Sequence, residues 1–524
     1  MTKLFLVFDT VKFLKYTQIS TRIFYLLRNK FRRILGFHYP LSIPSHAKTL
    51  MLIPSISSYH SYNHSTFTFL NRSVIFEHTI DWNCAVHGKL WTYNLTYFDF
   101  LHQHTMTKSD GLNLIHDFIA HSSTLRDALE PFPISLRGIN WIKFLVQHDI
   151  HDQIIDDSLY AQHHILLDNL EYHLLGNHLL ENGFSLLFGA YYFHDEKFYT
   201  VAKKILIAEL EEQILADGAH FELSPMYHQI MLYRVLECIN LIKNNVWKAQ
   251  ELLSLLETKA VMMLGWLQTI TYTDGTIPLL NDSADGIAPT SKELFEYANR
   301  LSVKIEPTLL SASGYRKKVT DRYECIVDVG NIGPDYIPGH AHSDTFNFEL
   351  RIDGKPIIVD TGLSTYESNA KRSLERSTAA HNTIMIDSRE QSEVWGGFRV
   401  ANRAKIVHLV ENGDTITATH DGYKAIGAMH TRSFSFDNRR IKIEDKIKST
   451  QNHTCTAFLH LHPDVAVMIT NDTIVLNESI IITCSHHDSI TTDVYHYAPE
   501  FNTLIPATVI KITFTQNLTM ELTL

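Results

Sequence analysis

The hydrophobic period of this chain changes once, near residue 310, and that change constrains the fold more than any single motif. From about 110 to 305, apolar residues return at helical spacing. Leu112, Leu114, Ile115, Phe118 and Ile119 form one stripe, Ile205, Leu206, Leu210, Ile214 and Leu215 another, and Leu252, Leu253, Leu255, Leu256, Met262, Met263 and Leu264 a third. Stripes of this kind, punctuated by Gly, Pro and Asp, predict a run of antiparallel helices. Ser224-Pro225 predicts a helix start, with Ser as the N-cap and Pro in the first turn. From about 315 the period becomes two. Residues 345–352 alternate cleanly, meet Asp353-Gly354, and return through Pro356-Ile357-Ile358-Val359, which predicts a type I′ hairpin. Residues 440–444 and 511–515 alternate in the same way. A helical half followed by a strand-rich half predicts an α+β multidomain chain and excludes an alternating βαβ protein.

Composition narrows the function classes. With 524 residues the chain is too long for one ordinary domain. Lys and Arg number 46 against 57 Asp and Glu, a net charge of −11, so the basic footprint of a nucleic-acid binder is absent. No GxGxxG or P-loop follows a strand, so nucleotide binding has no support. Cys84, Cys238, Cys325, Cys455 and Cys484 are odd in number, widely spaced and without a CxxC, which predicts buried thiols rather than disulfides or a Cys-ligated zinc. There are 31 His residues, a large titratable reserve.

Residues 1–40 stand apart. They carry Lys3, Lys12, Lys15, Arg22, Arg28, Lys30, Arg32 and Arg33 against Asp9 alone, with Ile19, Ile23, Phe24, Leu26 and Leu27 interleaved. Two readings of this basic amphipathic segment stand side by side: a peripheral contact with a membrane surface or partner, or a docking helix whose basic face is solvated. The apolar run from Leu4 to Phe8 is too short for a signal sequence, and no stretch approaches a membrane span, which predicts a cytoplasmic or membrane-peripheral location. Nothing in the residues speaks to an oligomeric state.

Four constellations carry side chains suited to chemistry. Asn177 and His178 lie three or four residues before Glu181, so an amide or imidazole shares a helix face with a carboxylate. Tyr227 and His228 fall in the first turn of the helix that Ser224 opens, where the helix dipole favours an anion. His340 and His342 alternate in a segment predicted to be extended, with Asp360 and His381 farther on. Two imidazoles and a carboxylate suit zinc in kind, although their spacing is no general metal signature. In residues 387–403, Trp395, Phe398, Arg399 and Arg403 offer aromatic and cationic groups that suit a sugar ring and its carboxylate or sulfate. Each constellation has a plainer reading: a helix cap, a core tyrosine, satisfied polar residues, a polar loop around a core tryptophan.

In this order, the motifs resemble those of the heparinase II/III-like polysaccharide lyases. The resemblance runs through KLWTYNLTYFD (89–99), PISLRGINW (133–141), Asn177-His178, the Tyr227 helix and PLLND (278–282). It continues through GHAHSDTFNFEL, IIVDTG and AHNTIMID, and the GHAHSD…VDTG…HNT series is the most specific part. It implies an incomplete α/α toroid over 41–310, an antiparallel β-sandwich over 311–524, and a long cleft between them. It implies β-elimination on an acidic, uronate-containing polysaccharide such as a glycosaminoglycan. The carboxylate is neutralised first, so that a base can take the C5 proton while an acid protonates the leaving O4. By motif, Asn177 and His178 neutralise the carboxylate, with the choice between them open. Tyr227 protonates O4 and in one stereochemical mode is also the base, and His340 is the base from the other side. Glu181, Arg137 and Asn140 support the substrate. His342, Asp360 and His381 hold a structural zinc, and no organic cofactor is implied. The N-terminal helix also looks like that of members found with bacterial surface-polysaccharide genes, and many relatives act in the periplasm. Two other functions fit the same residues: a uronate C5-epimerase, and a non-catalytic acidic-glycan-binding or assembly protein. For a polyanion on an acidic protein, the cleft around Arg137, Arg399 and the histidines is expected to be positive.

Overall fold

The structure, a computed structural model, describes residues 3–248 and 251–524; Met1, Thr2, Ala249, Gln250 and the side chain of Lys3 lie outside the described residues. Two helices open the chain, α1 (Lys3–Val11) and α2 (Tyr16–Ile34). Nine more follow in the helical half: α3 (Lys89–Tyr97), α4 (Lys108–Ala120), α5 (Pro131–Gln147), α6 (Gln153–Asp168), α7 (Gly176–Phe193), α8 (Glu196–Gln213), α9 (Pro225–Lys243), α10 (Leu253–Ile270) and α11 (Ser291–Arg300). They form two layers. Helices α3, α5, α7, α9 and α11 touch in succession as an inner row, while α4, α6, α8 and α10 back them. Burial follows from this placement. In α7 all but one residue is buried, so this helix is apolar nearly all round, as a helix with neighbours on every side must be.

The period-two half is antiparallel throughout. An eight-stranded sheet runs in the order 406–412, 415–420, 429–436, 440–448, 517–523, 480–485, 473–476 and 467–470. One four-stranded sheet orders 489–497, 505–514, 455–460 and 384–386; the other orders 315–319, 323–328, 348–352 and 355–358. The three sheets bury a shared apolar core, with Phe348, Leu350, Ile443, Ala457, Ile512 and Met520 inside it. The predicted hairpin is present: strands Phe348–Ile352 and Lys355–Ile358 flank Asp353 (φ 49°) and Gly354 (φ 76°), the two left-handed positions a type I′ turn requires.

Strand Tyr323–Asp328 is the seam between the halves and is buried along its whole length. Tyr323, Cys325 and Val327 join the β core, while Ile326 points the other way into the helical core. Alternation therefore serves two cores at once, and the halves are held as one body. Hydrogen bonds reinforce the seam. Asp217, just past α8, accepts from the backbone of Ser311 and Ser313, and the Tyr315 hydroxyl donates to the Leu223 carbonyl at 2.5 Å. All five cysteines are free thiols.

Candidate active site

A cavity of about 480 Å³ opens between the inner helical row and the β half. Asn177, Glu181, Tyr227 and Arg234 line it from α7 and α9, and Tyr366 and Phe501 line it from the β half.

Local backbone geometry places these groups. The chain enters α7 through two left-handed residues, Leu175 (φ 65°) and Gly176 (φ 59°). A β-carbon on Gly176 would lie 3.2 Å from a Glu222 carboxylate oxygen and 3.1 Å from Ile337. A glycine there lets the start of α7 approach Glu222 closely, at a conformation side chains disfavour. Helix α9 begins as expected: the Ser224 hydroxyl accepts from the Tyr227 backbone N–H at 3.2 Å. That cap fixes Tyr227 one turn into the helix, with its side chain in the cavity wall.

Four side chains then form a connected set. The Asn177 amide donates to Glu222 Oε2 at 3.1 Å, and its Oδ1 is buried without a partner. His340 Nδ1 lies 2.5 Å from the same Glu222 oxygen. The His340 ring stacks on Tyr227, with centroids 3.9 Å apart and planes 17° from parallel. The Tyr227 hydroxyl is 3.2 Å from that of Tyr366. Burial opposes ionisation of Glu222, but the His340 imidazole outweighs it and brings the carboxyl down to about 2. Burial pushes the Tyr227 phenol well above its ordinary value, so the hydroxyl is protonated near neutral pH. Tyr227 is therefore a proton donor next to an imidazole whose Nδ1 is held by a carboxylate.

The structure separates Asn177 from its neighbour. Asn177 lines the cavity, whereas His178 turns to Glu171, 3.0 Å from Nδ1 to Oε1, and packs on Phe132. Glu181 reaches the cavity and pairs with Arg234 at 3.2 Å. Asn140 also lines it, tied to the Tyr97 carbonyl at 2.9 Å and to Asp99 at 2.5 Å.

Three expectations change. Arg137 is not in the cleft. It is fully buried, donating to Gln162 at 2.7 Å and to the carbonyls of Thr96 and Ala128 at 2.9 Å each, so it ties α5 to its neighbours. Trp395 and Arg399 do not line the cavity either. The Trp395 indole donates to Thr10 of α1 at 3.0 Å, and the Arg399 guanidinium lies over its ring at 4.7 Å. Phe398, between them in sequence, is the one that reaches the site, edge-on to Tyr366 at 5.2 Å. The third concerns charge. Lys143 and Arg234 line the cavity, but so do Asp99, Glu181, Asp285, Glu293 and Glu500, so the cleft is not positive.

Residues 139–302 match the family described as Heparinase II/III N-terminus, and residues 304–523 match Heparinase II/III-like, C-terminal. The chain belongs to the heparinase II/III-like family. A heparin-sulfate lyase of Pedobacter heparinus is 25% identical over 267 residues, 45% of this chain and 38% of that protein. One of Bacteroides stercoris is 23% identical over 317 residues, 53% of this chain and 45% of that protein. The chain thus matches less than half the length of these curated relatives. The crystal structure of heparinase III shares the fold with a TM-score of 0.68 and 16% identity, covering 95% of this chain and 89% of that one. A chondroitin AC lyase of Streptomyces coelicolor in complex with chondroitin sulphate aligns with a TM-score of 0.54 and 8% identity, over 82% and 74%.

In this heparinase-like chain, His340 and His342 sit in a loop, not a strand, and serve different partners. His342 Nε2 lies 2.8 Å from Asp282, which also takes a two-pronged ion pair from buried Arg372. His381 Nδ1 lies 2.8 Å from Asp360, and the His342 and His381 rings are 5.2 Å apart. His342 Nδ1, His381 Nε2 and Asp344 Oδ2 are buried without hydrogen-bond partners. Orphaned nitrogens beside buried carboxylates are the donor set a cation completes. Among the described residues, however, no three His, Cys, Asp or Glu side chains already stand at metal-holding geometry. The residues fit zinc in kind and burial.

Several site residues carried no sequence signal. Glu222 and Asp282 show their roles only through partners 45 or more residues away. Tyr366 and Arg372 lie in an unpatterned loop and a short helix.

Proposed function

We propose that this chain is a carbon–oxygen lyase that cleaves an acidic, uronate-containing polysaccharide by β-elimination. The single observation that carries the reading is the connected Asn177–Glu222–His340–Tyr227 set, in which Asn177 and Tyr227 line the cavity and Glu222 and His340 back them. Asn177 is assigned to the substrate carboxylate. Its amide is neutral and one N–H is held by Glu222, leaving the group oriented toward the cavity. Withdrawing charge from the carboxylate acidifies the C5 proton. Glu222, ionised at neutral pH, engages His340 Nδ1 and so leaves Nε2 as the ring nitrogen free to meet the C5 proton. His340 is the base on one face and Tyr227 the acid. As the C5–H bond breaks, its electrons form the C4=C5 double bond, the C4–O4 bond breaks, and the Tyr227 proton passes to O4. For a substrate of the other configuration at C5, Tyr227 first gives up its proton to solvent, then takes the C5 proton and returns it to O4. Glu181 and Asn140 shape the subsite, and Arg234 supplies a cation. His178 supports α7 through Glu171.

The mixed charge of the cleft favours a uronate polymer of low charge density over a heavily sulfated one, because each added sulfate meets five carboxylates against two cations. The two-layered helical row and the stacked sheets are assigned as the incomplete toroid over 41–310 and the β-sandwich over 311–524. Zinc is assigned to His342, Asp360 and His381 as a structural ion that fixes the His340-bearing loop. Association with bacterial surface polysaccharide belongs to the same reading.

Turnover in deuterated water tests the assignment. A lyase yields a chain end with an unsaturated uronate, whose new double bond absorbs in the ultraviolet. Deuterium at C5 of intact chains instead assigns a C5-epimerase, and binding without either product assigns a glycan-binding protein.

A further inference from the structure

The two N-terminal helices are docked the unexpected way round. Lys15, Gln18, Tyr25, Arg28 and Arg32 face the body of the protein. Gln18 is buried and donates to the Leu174 carbonyl at 3.0 Å, Tyr25 donates to the Leu170 carbonyl at 2.7 Å, and Arg28 reaches Asn169 at 2.6 Å. Arg32 pairs with Asp168 at 2.5 Å, and Lys15 lies over the Tyr336 ring at 4.0 Å. Helix α1 is pinned by Thr10 to Trp395, and the Arg403 guanidinium covers Phe13 at 3.8 Å. With the polar side committed inward, the apolar side faces out. Leu26 is 72% exposed, Ile34 73% and Leu4 77%, and Phe5, Phe8, Ile23, Phe24, Leu27, Phe31 and Leu35 are exposed with them. A cluster of large aliphatic and aromatic side chains of this extent, on two consecutive helices, does not remain against water without reason.

The charge around this face selects its occupant. Lys12, Arg22, Lys30 and Arg33 are exposed among and beside these apolar side chains. The one acidic residue in the segment, Asp9, is half-buried and paired with Lys12 at 2.7 Å. With Lys12 matched by Asp9, Arg22, Lys30 and Arg33 leave this face net positive on a chain whose net charge is −11. The core of a protein–protein contact is depleted in lysine, and a second copy of this chain would bring the same cations face to face. An anionic lipid surface meets both demands, since acyl chains take the Leu, Ile and Phe side chains while phosphates take the cations. No helix among the described residues is long and apolar enough to cross a membrane, so the helices would lie in the interface plane.

We propose that α1 and α2 form a peripheral docking face for an anionic lipid bilayer, holding the cavity-bearing body at the membrane surface. The proposal does not depend on the reaction assigned to the cavity. Flotation of the full chain with phosphatidylcholine vesicles, with and without phosphatidylglycerol, tests it. The protein is expected to float with the anionic vesicles, and to do so at least about tenfold less with phosphatidylcholine alone or at high salt. Leu26→Glu with Phe31→Glu should abolish flotation at unchanged circular dichroism and Tm, because both side chains are already solvent-exposed. Lys30→Glu with Arg33→Glu should weaken it without touching the apolar face. No flotation of the wild type overturns the proposal, as does flotation that survives both pairs of substitutions. A wild-type dimer in sedimentation velocity that Leu26→Glu dissociates would assign the face to a second copy and also overturn it.

Discussion

The Tyr227 phenol and the His340 imidazole stack face to face, 3.9 Å between centroids, while Glu222 holds the far side of the imidazole. On the proposed reading they are the acid and the base, side by side as a concerted elimination needs. Tyr227→Phe keeps the ring, the stack and the packing and removes only the proton. It is expected to lower turnover by roughly 10²- to 10⁴-fold while glycan binding is retained. Equal loss of binding and turnover in a folded variant would show that Tyr227 acts through packing.

Asn177 and His178 are adjacent but face different surroundings, so their substitutions should separate. Asn177→Ala removes the amide assigned to the substrate carboxylate and is expected to reduce kcat sharply with a smaller effect on Tm. His178→Ala breaks the contact with Glu171 at 3.0 Å and should lower Tm while kcat changes much less. Kinetics and thermal melts on the two variants check this.

Glu222 gives the site an acid limit. Burial raises its pKa, the His340 imidazole lowers it more, and the result is about 2 against an ordinary value of 4.5. With the folded value depressed, the stabilisation is fully present above the unfolded pKa. It is lost as pH falls from about 5 toward 2, by on the order of 3 kcal/mol. Glu222→Gln should flatten denaturant-unfolding stability across that window relative to the wild type. An unchanged slope would show that Glu222 and His340 are not paired.

Much of the fold was legible from periodicity, because a helix stripe and a strand alternation are local properties. The Ser224-Pro225 helix start and the Asp353-Gly354 turn are written in two residues each. The site was legible only where a motif carried it. Arg137 and Arg399 were expected at a cleft because they are cationic, yet side-chain type does not reveal which face of α5 is walled in by α3 and α6. Asn177 and His178 could not be told apart, since one helical step, about 100°, decides which sees the cavity. Glu222, Tyr366 and Arg372 matter through contacts between distant segments, which periodicity does not encode. The N-terminal segment was read as a basic helix with either face free. Its true orientation depends on acceptors at Asp168, Leu170 and Leu174 that only the folded body presents.

The buried imidazoles set a metal prediction. If His342, Asp360 and His381 hold zinc, elemental analysis should find about one ion per chain. His342→Ala should lose the ion and lower Tm, and zinc removal by chelator should reproduce the shift in the wild type only. Full zinc retention in His342→Ala would place the ion elsewhere.

Ultraviolet absorbance of the unsaturated uronate, followed on a panel of uronate polymers graded in sulfation, tests the central claim most directly. The account predicts a steady rise with at least one polymer, fastest with a weakly sulfated one, and its collapse in Tyr227→Phe. No rise with any polymer from a folded protein, with or without added zinc, or a rise undiminished in Tyr227→Phe, would contradict it.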